Sequence, residues 1–195
     1  MSTMKQDIRA VVGSKPYQPV EGFEVPAVQP CVERLEMIRR WLGDMPAGRM
    51  LDLGCHTGWF CRAFARLGWS VLGIDRSREW LDVARAQNEG MQPPVPQYQQ
   101  ADVLMMREWP QADVVLALSL AMYLFDAGEE RGWAVLNRAS QAAPVMFFDF
   151  GGMYSSRAPF AAEDAPAAML ARTAYTRADL LGRSALEREM VVFSR

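Results

Sequence analysis

Hydrophobic positions along the chain fall into short blocks of two alternating kinds. After Pro30, the residues Val32, Leu35, Ile38, Trp41 and Leu42 recur at helical spacing, and Gly43 is a natural stop. "RMLDLG" is a short apolar run, the form a buried parallel strand takes. "GWFCRAFARLG" returns to helical spacing, with Phe60, Ala63, Phe64 and Leu67 on one face and Gly68 at its end. "SVLGID" predicts a second strand, and Ser77 caps a helix through "SREWLDVARAQ". A short strand near "YQQAD", a stronger one in "ADVVLALS", a helix through "ERGWAVLNRASQ" and a strand "VMFFDF" continue the alternation. Past residue 150 the pattern weakens. "GGMYSSRAPFAAEDAPAAML" reads as a loop or lid, "TRADLLGRS" as a helix with Thr176 and Asp179 at capping-box spacing, and "EREMVVFSR" as a last strand.

Strand and helix taking turns in this way predict a Rossmann-like, doubly wound α/β fold, with a mostly parallel sheet, helices on both faces and a shortened C-terminal part. At 195 residues the chain suits one domain. Residues 1–30 form an extended N-terminal segment, 31–150 the ligand-binding core and 151–195 a variable region. Pro16, Pro19, Pro26 and Pro30 make the first segment irregular, while Tyr17, Phe23 and Val25 predict that it docks on the domain.

Composition changes the picture in three places. A formal charge of -2 and a pI near 5.5 supply no global attraction to nucleic acid or anionic lipid. No apolar run is long enough to span a bilayer and no signal-peptide core is present, so a cytoplasmic protein is expected. Three cysteines without C-x-x-C spacing fit reduced thiols.

The chemistry concentrates in "MLDLGCHTGWF". A dinucleotide fingerprint beginning at Gly54 requires small residues where His56 and Trp59 stand, and bulky His56 would keep a pyrophosphate off the backbone. Cys55 and His56 do not make a metal site, because zinc needs three or four converging ligands and adjacent residues diverge. A cysteine nucleophile would lack its base, since His56 is the only histidine. What remains is Asp52, Gly54 and Gly58, with Asp75 ending the next strand 21 residues after Gly54. An acid there accepts hydrogen bonds from ribose hydroxyls. The ligand is then a nucleoside without pyrophosphate, a description that S-adenosylmethionine (SAM) fits.

Here the chain resembles the class I SAM-dependent methyltransferases: "LDLGCHTG", "VLGIDRS", "QQADVL" and "ADVVLALSLAMYLF" look like their first four motifs, in order. The resemblance implies SAM as cofactor. It places Gly54, Cys55 and Gly58 along the methionine part, with Asp52 nearby, Asp75 on the ribose, Arg76 beside the adenine, Asp102 and Val103 at the adenine, and Leu118 lining the site. His56 stands where many relatives have glycine. A finer resemblance, carried by "YQPVEGFEVP" and "VLALSLAMYLF", is to the methyltransferase half of bacterial methyltransferase-kinases that terminate O-antigen chains; it adds Tyr17 and Gln18 as cofactor contacts. Where such relatives often carry two histidines this chain has Met122 and Tyr123.

Methyl transfer from a sulfonium needs mainly an aligned acceptor, and a base only where that acceptor is protonated. Tyr123 and Asp149 are the candidates for assisting it, and Arg157 and Arg172 for binding a small-molecule or glycan acceptor. Two other functions stay open: a SAM-binding module without catalysis, and a nucleotide-dependent oxidoreductase, which the broken fingerprint disfavours.

Overall fold

The computed structural model describes residues 8, 10–13, 16–22, 27, 30–151, 159 and 161–195. Phe23, Val25 and Arg157, expected at a docking surface and an acceptor site, lie outside them. Helix α1 spans Cys31–Leu42, between Pro30 and Gly43. Strand β1 (Arg49–Leu53), α2 (Trp59–Ala65), β2 (Ser70–Asp75), α3 (Arg78–Ala86) and β3 (Gln97–Gln100) follow. Then come β4 (Val114–Ala117), α4 (Ala121–Asp126), α5 (Glu129–Ala142) and β5 (Val145–Gly151). A short 3-10 turn at Ala162–Asp164 precedes α6 (Ala165–Arg172), β6 (Arg177–Arg183) and β7 (Arg188–Ser194).

The seven strands make one sheet in the order β3-β2-β1-β4-β5-β7-β6. β1 to β5 are parallel, and β7 runs antiparallel to both of its neighbours. Successive residues of a strand point to opposite faces, and here both faces are covered. Val114, Leu116, Val145, Phe147, Met190 and Val192 pack with α1 and α2, while Val115, Ala117, Met146, Phe148, Val191 and Phe193 pack with α4, α5 and α6. Two buried faces explain why the strands read as unbroken apolar runs.

Two local expectations are corrected. "TRADLLGRS" is not a helix: it supplies β6, which pairs with β7 from Arg177 opposite Ser194 to Arg183 opposite Glu189. Without it β7 would present a bare edge, and pairing outweighs the local capping signal. Thr176 donates its backbone N–H to Ser194, and Asp179 pairs with Arg177 instead of capping anything. The region after β5 contains α6, started by Pro166 in its first turn and anchored by buried Met169. The stretch after β4 is also helical, since α4 packs Phe125 edge-on against Trp133 of α5, with ring centroids 5.4 Å apart.

On α1 the buried face is Cys31, Arg34, Ile38 and Leu42, while Val32 is 56% exposed. The predicted face is therefore turned by about one residue. The reason is Arg34, whose guanidinium reaches polar partners beneath the helix.

Candidate functional site

Strand order reverses between β1 and β4, and the loop after β1 opens at that switch point. Gly54, His56 and Gly58 all take positive φ, at 69°, 53° and 71°. The N–H groups of Gly54 and Cys55 donate to the Ile74 carbonyl at 2.7 and 3.1 Å, and that of His56 donates to Asp75 Oδ2 at 2.9 Å. Asp75 Oδ1 accepts from Ser77 N–H at 2.8 Å, and Ser77 in turn caps α3. One carboxylate thus ties the loop, β2 and α3 together. From the other side Gln18 Oε1 accepts from the Thr57 hydroxyl at 3.0 Å and from Trp59 N–H at 3.3 Å.

This framework encloses a cavity of about 430 Å³. Of the residues singled out in the sequence, Tyr17, Gln18, Asp52, Gly54, Asp75, Arg76, Asp102, Val103, Leu118 and Tyr123 line it. Cys55 and Gly58 do not. The Cys55 side chain is fully buried on the far side of the loop, where a Cβ added to Gly73 would lie 2.8 Å from both the Cys55 and Cys61 sulfurs. Gly58 opens α2 and presses on the Tyr98 ring, leaving no room for a side chain. His56, Trp80, Arg34 and Ser119 line the cavity as well. His56 stacks on Trp80, with ring centroids 4.1 Å apart, and lies 5.3 Å from the Tyr17 ring.

At the opposite end of the cavity from Asp75 lies a buried charge cluster. Arg34 Nη1 donates to Ser119 Oγ and Asp149 Oδ2, both at 2.9 Å, and Nη2 to Cys31 Sγ at 3.5 Å. Arg188 donates to Ser119 Oγ and stands 3.6 Å from Asp149 Oδ2. Asp149 Oδ1 also accepts the Ser119 backbone N–H. Asp149, expected to face a substrate, is therefore 3% exposed, does not line the cavity and holds two guanidinium groups in place. The Tyr17 hydroxyl lies near Ser119 and Arg188, and burial raises its pKa. Arg34 and Arg188 thus both face the Asp149 carboxylate at this end.

Asp52 lies between the two ends, 3% exposed, with its Oδ2 accepting from the Cys61 thiol at 3.2 Å. Burial pushes its pKa up to about 7. Burial likewise lowers His56 to about 4, which leaves the imidazole neutral at pH 7. The donor set fits SAM. Asp75 offers carboxylate oxygens that a ribose could meet, and apolar Ile74, Val103 and Leu118 line the cavity. Gly54 has no Cβ to intrude, and the buried Nε of Arg34 has no hydrogen-bond partner among the described residues.

Residues 50–142 match the family model of a methyltransferase domain. This match supports a class I SAM-dependent methyltransferase domain over these residues. Over 80 residues this methyltransferase domain is 34% identical to the ubiquinone biosynthesis O-methyltransferase of Rhodopseudomonas palustris (strain BisB18), a match covering 41% of this chain and 31% of that protein. Over 93 residues it is 32% identical to the O-antigen chain terminator bifunctional methyltransferase/kinase WbdD of Escherichia coli, covering 43% of this chain and 13% of that one. The matches thus span about a third or less of these relatives' lengths. Among solved structures, WbdD superposes with a TM-score of 0.78 at 21% identity, over 96% of this chain and 46% of that one. Magnesium protoporphyrin IX methyltransferase (ChlM) from Synechocystis PCC 6803, solved with bound SAM, gives 0.69 at 18% identity over 100% and 92%. At these identities the superpositions show the fold.

Arg172 does not reach the methyltransferase cavity. Its guanidinium lies 4.9 Å from the Trp133 ring and 3.7 Å from Glu129, against α5. Sequence reasoning missed Arg34, Ser119 and Arg188. Arg34 had a signal: it occupies the 31-34-38-42 face of α1, where a charged residue needs a buried partner.

Proposed function

We propose that this chain transfers the methyl group of SAM to an oxygen nucleophile of a small-molecule, phosphorylated or glycan acceptor. The observation that carries the proposal is the polarity of the cavity, with a carboxylate at the β2 end and buried guanidinium groups at the β4–β5 end. In this assignment Asp75 accepts from the ribose, Asp102 and the backbone at Val103 meet the adenine, and Arg76 lies beside it. Arg34, with Tyr17 and Ser119, faces the carboxylate of the methionine part. Gln18 holds the glycine loop against it, and Leu118 lines the walls. Bound SAM would supply an electrophilic methyl group on a positively charged sulfur. The protein's task is to hold the acceptor oxygen about 3 to 3.5 Å from that carbon and in line with the bond that breaks.

Tyr123 is the candidate for assisting the acceptor. It lines the cavity, is 49% exposed at the mouth and has the Arg76 guanidinium 6.0 Å from its ring. Asp149 acts as a positioning residue for Arg34, because its oxygens are engaged by Arg34, Arg188 and the Ser119 N–H. The name of one relative, an O-methyltransferase, supports an oxygen acceptor.

Calorimetric titration with S-adenosylhomocysteine, using NADH as the control, tests the cofactor. Binding of the former alone is expected, and Asp75→Ala should weaken it at least tenfold. Transfer of labelled methyl from SAM to phosphorylated sugars, carboxylated sugars and catechols then tests the acceptor class. A protein that binds the cofactor product yet methylates none of these would redirect the proposal to a binding module.

A further inference from the structure

His56 has no part in the assignments made so far, although its side chain lines the cavity. Its φ of 53° lies in the left-handed region, where histidine, asparagine and aspartate are the commonest residues after glycine. Its backbone N–H is held by Asp75, and its ring is fixed between Trp80 at the start of α3 and Tyr17 of the N-terminal segment. Three separate segments therefore set the position of one imidazole, and that imidazole lines the cavity beside Asp75.

The ring's hydrogen bonding can be followed to its end. Burial keeps it neutral, so it carries a single N–H. Nδ1 is buried and has no partner among the described residues. A buried donor without a partner is rarer in folded proteins than a buried acceptor without one. The proton accordingly belongs on Nε2, and the ring offers an N–H to the cavity. Asp75 presents carboxylate oxygens that accept, as they do from His56 and Ser77 N–H. A donor beside an acceptor suits two neighbouring hydroxyl groups, since each hydroxyl both donates and accepts.

We propose that His56 is a second ribose-binding residue: Asp75 accepts from one hydroxyl of the nucleoside diol, and the imidazole N–H of His56 donates to the other. The inference rests on the cavity being the SAM site. It gives the αL histidine a function that neither packing nor the backbone bond to Asp75 requires, and it makes this chain more demanding of an intact diol than a glycine at the same position would.

The test uses 5′-methylthioadenosine and its 2′,3′-dideoxy form as probes, with S-adenosylhomocysteine as the reference ligand, titrated calorimetrically into the wild type and two variants. His56→Gly accepts the left-handed backbone and removes the donor, so it should bind the diol probe about tenfold more weakly and the dideoxy probe within about twofold of the wild type. His56→Asn also tolerates that backbone and keeps an amide donor, and its affinity for the diol probe should fall between the other two. Near-ultraviolet circular dichroism checks that both variants fold. Because the chain has one histidine, a protein labelled with ¹⁵N only in histidine shows a single imidazole, whose Nε2–H signal should shift on adding S-adenosylhomocysteine while Nδ1 stays bare. Equal losses for the diol and dideoxy probes in His56→Gly, or a protonated Nδ1, would overturn the proposal and leave His56 as packing. Failure of the folded wild type to bind S-adenosylhomocysteine would instead remove the cofactor assignment itself, so the two failures are distinguishable.

Discussion

Asp52 shows how a single buried carboxylate couples the site to pH. Its unfolded pKa is close to 4, and in the folded chain burial raises it to about 7. Between these values the folded protein holds a proton that the unfolded chain has released. Its contribution to stability is therefore greatest in acid and is lost as the pH rises through 7. A cationic ligand reverses the preference, because a positive charge beside Asp52 favours the carboxylate. SAM should bind more tightly as the pH rises from 6 to 7 and level off above that, with a slope approaching tenfold per unit on the acid side and proton release in calorimetry. Asp52→Asn should flatten the profile; an unchanged slope would assign the proton elsewhere. At this scale the acids and glycines were legible, since their spacing is fixed by the chain between β1 and β2. The cation cluster was not. Ser119 lies 85 residues from Arg34 and 69 from Arg188, and no local pattern announces such a meeting. Asp149→Ala would remove the buried carboxylate that both guanidinium groups face, at a cost of about 3–5 kcal/mol in urea unfolding. Arg34→Met together with Asp149→Leu should cost less than Asp149→Ala alone, because the uncompensated charge is reduced.

Among the elements, the N-terminal segment behaves as a clamp more than as a tail. Glu21 pairs with Arg66 at 2.8 Å and Arg62 at 3.3 Å on α2, and its backbone N–H donates to Gln87 at 2.8 Å after α3. Ile8 and Val20 pack on Val83 of α3. These contacts bring Tyr17 and Gln18 to the cavity. Removing residues 1–28 should therefore speed the dissociation of S-adenosylhomocysteine measured by stopped flow, by about tenfold or more given the hydrogen bonds lost. An unchanged off-rate would reduce the segment to surface packing. Of the apolar residues expected to dock, Tyr17 reaches the cavity while Phe23 and Val25 lie outside the described residues, and β6 was not legible. "TRADLLGRS" carries helical capping chemistry, and only the waiting edge of β7, supplied by the following residues, makes it a strand.

For the molecule as a whole, a sheet covered on both faces has a quantitative consequence. Phe147 and Phe148 are adjacent in β5 and neither is exposed. They belong to different cores: Phe147 meets Trp41 of α1 edge-on at 5.4 Å, and Phe148 lies 4.7 Å from Phe150 on the side of α4, α5 and α6. In a sheet with one solvated face, an alanine at one of these two positions would be nearly neutral. Here Phe147→Ala and Phe148→Ala should each destabilise the domain by about 3–5 kcal/mol in urea melts, with unchanged m-values. Either loss is a large fraction of the 5–15 kcal/mol typical of a domain. The two losses should differ in their effect on the cavity. Phe147 shares its core with α1, whose Arg34 reaches the cationic end, whereas Phe148 supports the opposite layer. Phe147→Ala should accordingly weaken S-adenosylhomocysteine binding more than Phe148→Ala at a temperature where both remain folded. Equal binding by the two would mean that α1 keeps its place without the ring beneath it.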